Sequence, residues 1–429
     1  VSAEVPCVMP RLGLPRDRVW WIVLILTLSV GVVLIGWFAA DWRRKAQLAN
    51  ARTALANYAF EQAQARLKEY LLTRPDDPVA LLLAAQAARR GGRLDLAREY
   101  LDAHNQRVEK SAEATLEFAL QQAQSGEIDA VLDYLTPLVK ADHPATEQIL
   151  EALARGSVHT YQQQQAAFWI EALLERWPSN PIGRLLKAQT LHALGKDSEA
   201  TEVYQALVQD YPDLAAARRG LATLLVRKQR LREALEHLRE LVRLQPEDPA
   251  ALVGLLRCLR QLNELQEEPA LLARLQEEFP QSALARLEVG RAALAAGRSQ
   301  EAEQLLTDAV RLAPHDLEAH FHLAQALRRN GKDAEAEVHL RRFQAIDQDL
   351  IQLEKAVGAA TSRPDDPEPR IEAARICLRN GQDGEALRWL TGALRLNPQH
   401  GPTHAALADY YEKQGDLARA GEHRRLAGR

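Results

Sequence analysis

The stretch LEVGRAALAAGRSQEAEQLLTDAVRLAPHD (287–316) reads as two helices with a stop after each. Gly290, in the middle of the first, lets a neighbouring helix approach closely. Gly297 supplies the left-handed backbone that ends that helix. Ala302 is small where the second helix crosses the first. Pro314 halts the second helix, because it has no N–H for the ladder and disfavours helix in the residue before it.

Pro314 belongs to a ruler. Pro144, Pro178, Pro212, Pro246, Pro280 and Pro314 stand 34 residues apart, and Pro364 and Pro398 keep that spacing after an offset of 16. The same marks return in HFHLAQALRRNGKDAEAEVHLRRFQAIDQD (320–349), in IEAARICLRNGQDGEALRWLTGALRLNPQH (371–400) and in AALADYYEKQGDLARAGEHRR (405–425). The small mid-helix residue recurs as Ala324, Ala374 and Ala408. The turn glycine recurs as Gly331, Gly381 and Gly415, and the crossing alanine as Ala336, Ala386 and Ala420. A 34-residue period is the mark of a helix–turn–helix solenoid.

These residues resemble the tetratricopeptide repeat (TPR) family from about residue 44 to the C-terminus. The resemblance implies an all-α solenoid, a right-handed superhelix of about eleven units whose first helices line a concave groove. Units are partly degenerate over 41–180, regular over 181–350 and regular again over 367–429, with 351–366 an inserted helix or loop. Within 249–282 the crossing alanine shifts to Ala270, which implies a longer turn and a shortened second helix.

Ahead of the repeats, a short tail (1–18) precedes VWWIVLILTLSVGVVLIGWFAADWRRK (19–45), uncharged from Val19 to Ala40. As a helix that run spans about 33 Å, enough for a bilayer core of roughly 30 Å. Trp20 and Trp21 flank one end and Trp37 and Trp42 the other, as interfacial aromatic belts do. Trp37 or Phe38 at the −3 position argues against a cleaved signal peptide, so 19–40 is expected to be a signal-anchor. Basic residues flank both ends. A short tail that stays inside places the TPR part outside the cytoplasm, at a bacterial inner membrane. Translation starts either at Val1 or at Met9, the one methionine.

Composition narrows function. Net charge is −4 and the isoelectric point about 6.4, which gives no basic balance for nucleic acid. Cys7, Cys258 and Cys377 make no CxxC, and no HExxH, P-loop or GxSxG is present, so no catalytic residue, metal or cofactor is expected. The histidines of LEAHFHLAQAL (317–327) are no exception. His320 and His322 lie about 200° apart around a helix and cannot chelate together, while His315 falls in the turn after Pro314. His320 is expected to pack at the fourth position of its unit, as is His404.

The resemblance also implies that positions 2, 5, 9 and 12 of each first helix face the groove. Those positions give Arg219, Arg257, Arg260, Arg291, Arg328 and Arg375, with Phe321 and Gln325 among them. Aligned guanidinium forks suit an acidic or C-terminal peptide segment. The expected function is a non-catalytic, membrane-anchored scaffold that holds a protein or peptide in envelope complex assembly, secretion or biogenesis. The alternative is a chaperone-like accessory subunit that presents clients to a membrane-bound maturation enzyme.

Overall fold

Short polar side chains start the helix pairs on the same 34-residue beat. Asn180 accepts from the Gly183 N–H at 2.7 Å, Asp248 from Ala250 at 2.9 Å, and Asp316 from Ala319 at 2.8 Å. Each satisfies an N–H that the first turn leaves without a partner, worth about 1 kcal/mol. Asp77 and Ser282 cap in the same way.

The computed structural model describes residues 43–108 and 111–428, which divide after Ala114 into two compact units. Among the described residues there are 22 α-helices and no strand. The first unit pairs α1 (43–56) with α2 (Phe60–Thr73), and α3 (Pro78–Arg90) with α4 (Leu94–Asn105). The second opens with α5 (Ala112–Ser125) and α6 (Asp129–Lys140), then α7 (Thr146–His159) and α8 (Gln163–Arg176). Next come α9 (Pro181–Ala193) with α10 (Asp197–Asp210), and α11 (Ala215–Arg227) with α12 (Leu231–Leu244). They are followed by α13 (Pro249–Leu262) with α14 (Glu268–Glu278), and α15 (Ala283–Ala295) with α16 (Ser299–Leu312). The last pairs are α17 (Leu317–Arg329) with α18 (Asp333–Ser362), α19 (Glu368–Arg379) with α20 (Asp383–Leu396), and α21 (Gly401–Lys413) with α22 (Leu417–Ala427).

Small residues set the packing within each pair. Ala302, Ala336, Ala386 and Ala420 are fully buried. A Cβ on Gly290 would sit 2.8 Å from the Leu306 side chain, so nothing larger fits there without movement. The turn glycines Gly297, Gly331, Gly381 and Gly415 all have φ between 65° and 78°. Where the glycine is missing, Tyr161, Gln229 and Asn263 adopt φ of 57–58° at the same register and carry the steric cost of a side chain.

A second recurrence answers the proline. Helix ends leave carbonyls unpaired, and the fourth residue of the next first helix donates to the proline carbonyl six residues back. Arg218 reaches Pro212 at 2.7 Å, Arg286 reaches Pro280 at 2.9 Å, and His320 reaches Pro314 at 3.0 Å. Arg370 reaches Pro364 at 3.0 Å and His404 reaches Pro398 at 2.9 Å. His320 and His404 are indeed buried packing residues.

The offset of 16 lies in α18, which continues for 30 residues instead of the usual 14. Beyond it the second unit makes a long-range seam, where the turn after α7 meets the outer face of α20. Tyr161 and Trp389 stack with ring centroids 3.8 Å apart and planes 10° from parallel, and the Tyr161 hydroxyl donates to Glu385. Gln162 donates to the Gly392 carbonyl at 2.7 Å, and Arg395 reaches Asp129 at 3.1 Å and Gln165 at 2.6 Å. Two exceptions to the repeat meet here. A tyrosine stands where a turn glycine belongs, and Gly392 stands where other units carry Arg274, Asp308 and Arg342. A Cβ on Gly392 would come within 2.3 Å of the Thr160 oxygen.

The expected anchor at 19–40, with Trp20, Trp21, Trp37 and Trp42, lies outside the described residues. Among the described residues no helix is long and apolar enough to cross a membrane.

Candidate partner-binding groove

The centre of the arginine groove is a carboxylate. Glu288, on α15, is fully buried and accepts from three guanidinium groups: Arg257 at 2.6 Å, Arg291 at 3.1 Å, and Arg260. Glu318, at the start of α17 and 44% exposed, takes Nη2 of Arg257 at 2.6 Å and shares Nη1 of Arg291 with Glu288, at 3.4 Å. Glu268, at the start of α14, holds Arg260 at 2.8 Å. Burial alone would push the Arg257 guanidinium down, but Glu288 and Glu318 outweigh it and hold it above its ordinary value.

These side chains converge because one unit is irregular. Asn263 ends α13 in the left-handed conformation, and a turn over 263–267 delays α14, which runs 11 residues against 14 in α12 and α16. The shortened helix leaves a cavity of about 1060 Å³ between α13, α14, α15 and α17. Its floor is apolar, with Leu265, Leu272 and Val289, and its walls carry Arg260, Arg291 and Gln325. His322 also lines it, with a buried Nδ1 that has no partner. Burial first and Arg291 second lower its basicity.

The structure thus gathers Arg257, Arg260, Arg291 and Gln325. The other expected groove residues have partners of their own. Arg219 pairs with Asp248 at 2.5 Å, Arg328 lies 4.0 Å from Glu337, and Arg375 lies 3.9 Å from Glu372. Phe321 is half-buried with its ring 5.3 Å from that of Phe343. Sequence reasoning missed Glu288 and Glu318, although a glutamate three residues before Arg291 was the available signal. It also missed the partners of the packing histidines. His320 meets His339 and His404 meets His423, each through Nδ1 atoms 2.9 Å apart, and the shared 19-residue spacing could have revealed both.

Cys258 and Cys377 are buried free thiols, and burial pushes Cys377 up to about 11. Among the described residues no three His, Cys, Asp or Glu side chains are placed to share a metal ion.

No curated protein matches the chain in sequence. Among solved structures it is similar to the APC/C hetero-tetramer Cut9-Hcn1, with 14% identity over 90% of this chain and 80% of that one, and a TM-score of 0.37. It is similar to the human IFIT1 dimer with PPP-AAAA at 17% identity over 81% and 89%, with a TM-score of 0.43. MamA is similar over 38% of this chain and 94% of its own, at 17% identity and a TM-score of 0.32. None of the three bears on function. The tetratricopeptide repeat model, in contrast, matches residues 48–112, 164–215, 219–283 and 287–350, more than half of the sequence and both sides of the arginine cluster. With its 34-residue beat, paired helices and turn glycines, the chain belongs to the tetratricopeptide repeat family.

Proposed function

We propose that the protein is a non-catalytic scaffold, held at a membrane by residues 19–40, that binds an acidic segment of a partner protein over the cavity beside α14. The observation that carries this reading is the division of labour between Glu288 and Glu318. Glu288 is out of reach of solvent and fixes the guanidinium planes. Glu318 is nearly half exposed and occupies the Nη2 donor of Arg257 that Glu288 leaves, while it shares Nη1 of Arg291 with Glu288. A partner carboxylate can replace Glu318 without disturbing Glu288, while an apolar neighbour in the segment fills the cavity floor. Arginine forks favour this exchange because they bind carboxylates in a fixed planar geometry.

Crosslinking pull-down from cells with the intact chain tests the proposal. Arg257→Glu combined with Arg291→Glu abolishes recovery of the partner while the helical circular dichroism is kept. Undiminished recovery removes the groove assignment. Fractionation of chains with and without 19–40 tests the anchor, and a C-terminal reporter tests whether the repeats lie outside the cytoplasm.

A further inference from the structure

Arg370 is a buried cation with no carboxylate within ion-pair distance, although the charges of Asp365 and Asp366 act on it from the preceding loop. It is 3% exposed, and its Nη atoms donate to three main-chain oxygens: Pro364 at 3.0 Å, Asp366 at 3.2 Å and Tyr161 at 3.4 Å. No carboxylate among the described residues makes an ion pair with it, and its Nε is buried without a partner. Burying a charge is costly unless it is paired and hydrogen-bonded. Here main-chain carbonyls rather than a carboxylate take the Nη donors.

Arg370 also lines a cavity of about 450 Å³ at the seam, within the usual size range of small-ligand sites. Tyr161 and Trp389, already stacked on each other, form part of its wall, and Val357, Ala360 and Leu194 supply aliphatic surface. Gln163 lines it too, with a side-chain oxygen that is buried and unpartnered. The site is particular to this unit. In the units on either side the register positions of Arg370 and Trp389 hold His320 with His339, and His404 with His423, and each of those pairs satisfies itself.

We propose that the seam cavity is a binding site for an apolar group that ends in a carboxylate, with Arg370 as its counter-ion. The carboxylate takes the Nη2 N–H of Arg370 that Tyr161 leaves unused, and an amide N–H of Gln163 turned toward it adds a second donor. The aliphatic or aromatic body lies against the stacked rings. The site is separate from the arginine groove and does not depend on that reading. Because its walls come from α8, α18, α19 and α20, its occupant also ties the two sides of the seam together.

Isothermal titration of the full chain tests this with 4-phenylbutyrate and its neutral amide, and with an apolar tripeptide carrying a free or an amidated C-terminus. The expected result is one saturable site for the acids, with at least tenfold weaker binding of the amides. Binding of 4-phenylbutyrate assigns the site to small acids, and binding of the free tripeptide alone assigns it to protein C-termini. Arg370→Gln weakens the acid at least tenfold. Leu194→Trp, a change at a half-exposed rim position that leaves Arg370 untouched, blocks it even where Arg370→Gln fails to fold. Equal binding of acid and amide, no binding of either acid, or unchanged binding to Leu194→Trp overturns the proposal.

Discussion

Arg257, Arg260 and Arg291 surround one buried carboxylate, whereas Arg370 is more deeply buried than any of them and meets none. Both lie on first helices of the repeat, Arg257, Arg260 and Arg291 at groove positions and Arg370 at the packing position that His320 and His404 hold. The difference lies in what the neighbouring element offers: α15 brings Glu288 into the first group, and the turn after α7 brings only a main-chain oxygen to Arg370. An arginine at a groove or packing position is therefore not yet a binding residue. Its counter-ion decides whether it is structural, exchangeable or vacant.

The largest effect should come from breaking the first group. Glu288→Ala leaves three guanidinium groups around an empty site and should cost about 3–5 kcal/mol, the usual penalty for removing one partner of a buried ion pair. Urea denaturation reads it as a fall in midpoint. Arg370→Met removes a buried charge together with its hydrogen bonds, so the two terms offset and the loss should stay near about 1–2 kcal/mol. If Arg370→Met costs as much as Glu288→Ala, the two groups do not differ as described.

Much of this was legible before any coordinates. Proline spacing, turn glycines and crossing alanines fix helix pairs because each is a local rule repeated many times. Gln325 beside Arg260 and Arg291 followed from register alone. Glu288 did not, because a glutamate in mid-helix looks solvated until the neighbouring helices close over it. The seam was still less accessible, since it joins residues 230 apart whose only trace was a misplaced tyrosine and a misplaced glycine. His339 and His423 needed a different reading, since each faces its partner from the second helix of its pair, at a spacing of 19 that recurs in both units.

The seam also carries a pH dependence. His159, just before the turn, is pushed down to about 4, first by burial and then by Arg388 on α20. In the unfolded chain it returns to an ordinary value near 6.5, so the unfolded state gains the proton first as pH falls. Its contribution is full above about pH 6.5 and is lost progressively toward pH 4. Burial and the facing histidine lower His339 and His423 in the same direction. The thermal midpoint should therefore drop between pH 7 and pH 5, and His159→Gln should flatten that drop. A midpoint independent of pH in this range, or a slope unaltered by His159→Gln, removes His159 from the account.

Tyr161→Gly sets two terms of similar size against each other. Glycine relieves the left-handed backbone, worth about 1 kcal/mol, and gives up a stacked aromatic pair of about 0.5–1.5 kcal/mol. Global stability should change by less than about 1 kcal/mol. Hydrogen exchange should nevertheless quicken on both sides of the contact, in the turn over 160–162 and in α20. Unchanged exchange in α20 means that the stacked rings do not hold the seam.

The smallest effect on stability, and the most telling one for binding, belongs to Glu318→Gln. Its carboxylate is nearly half exposed, and exposed ion pairs contribute under about 1 kcal/mol. Folding should barely notice the change. Binding of an acidic partner segment should tighten, because Arg257 then presents an Nη2 donor that no internal carboxylate occupies, while Glu288 still holds Arg257 and Arg291. Removing Glu288 has the opposite character: it frees the same arginines but lets them swing. If Glu318→Gln leaves partner affinity unchanged or weakens it, Glu318 is not the group that a ligand displaces, and the arginines around Glu288 are structural alone.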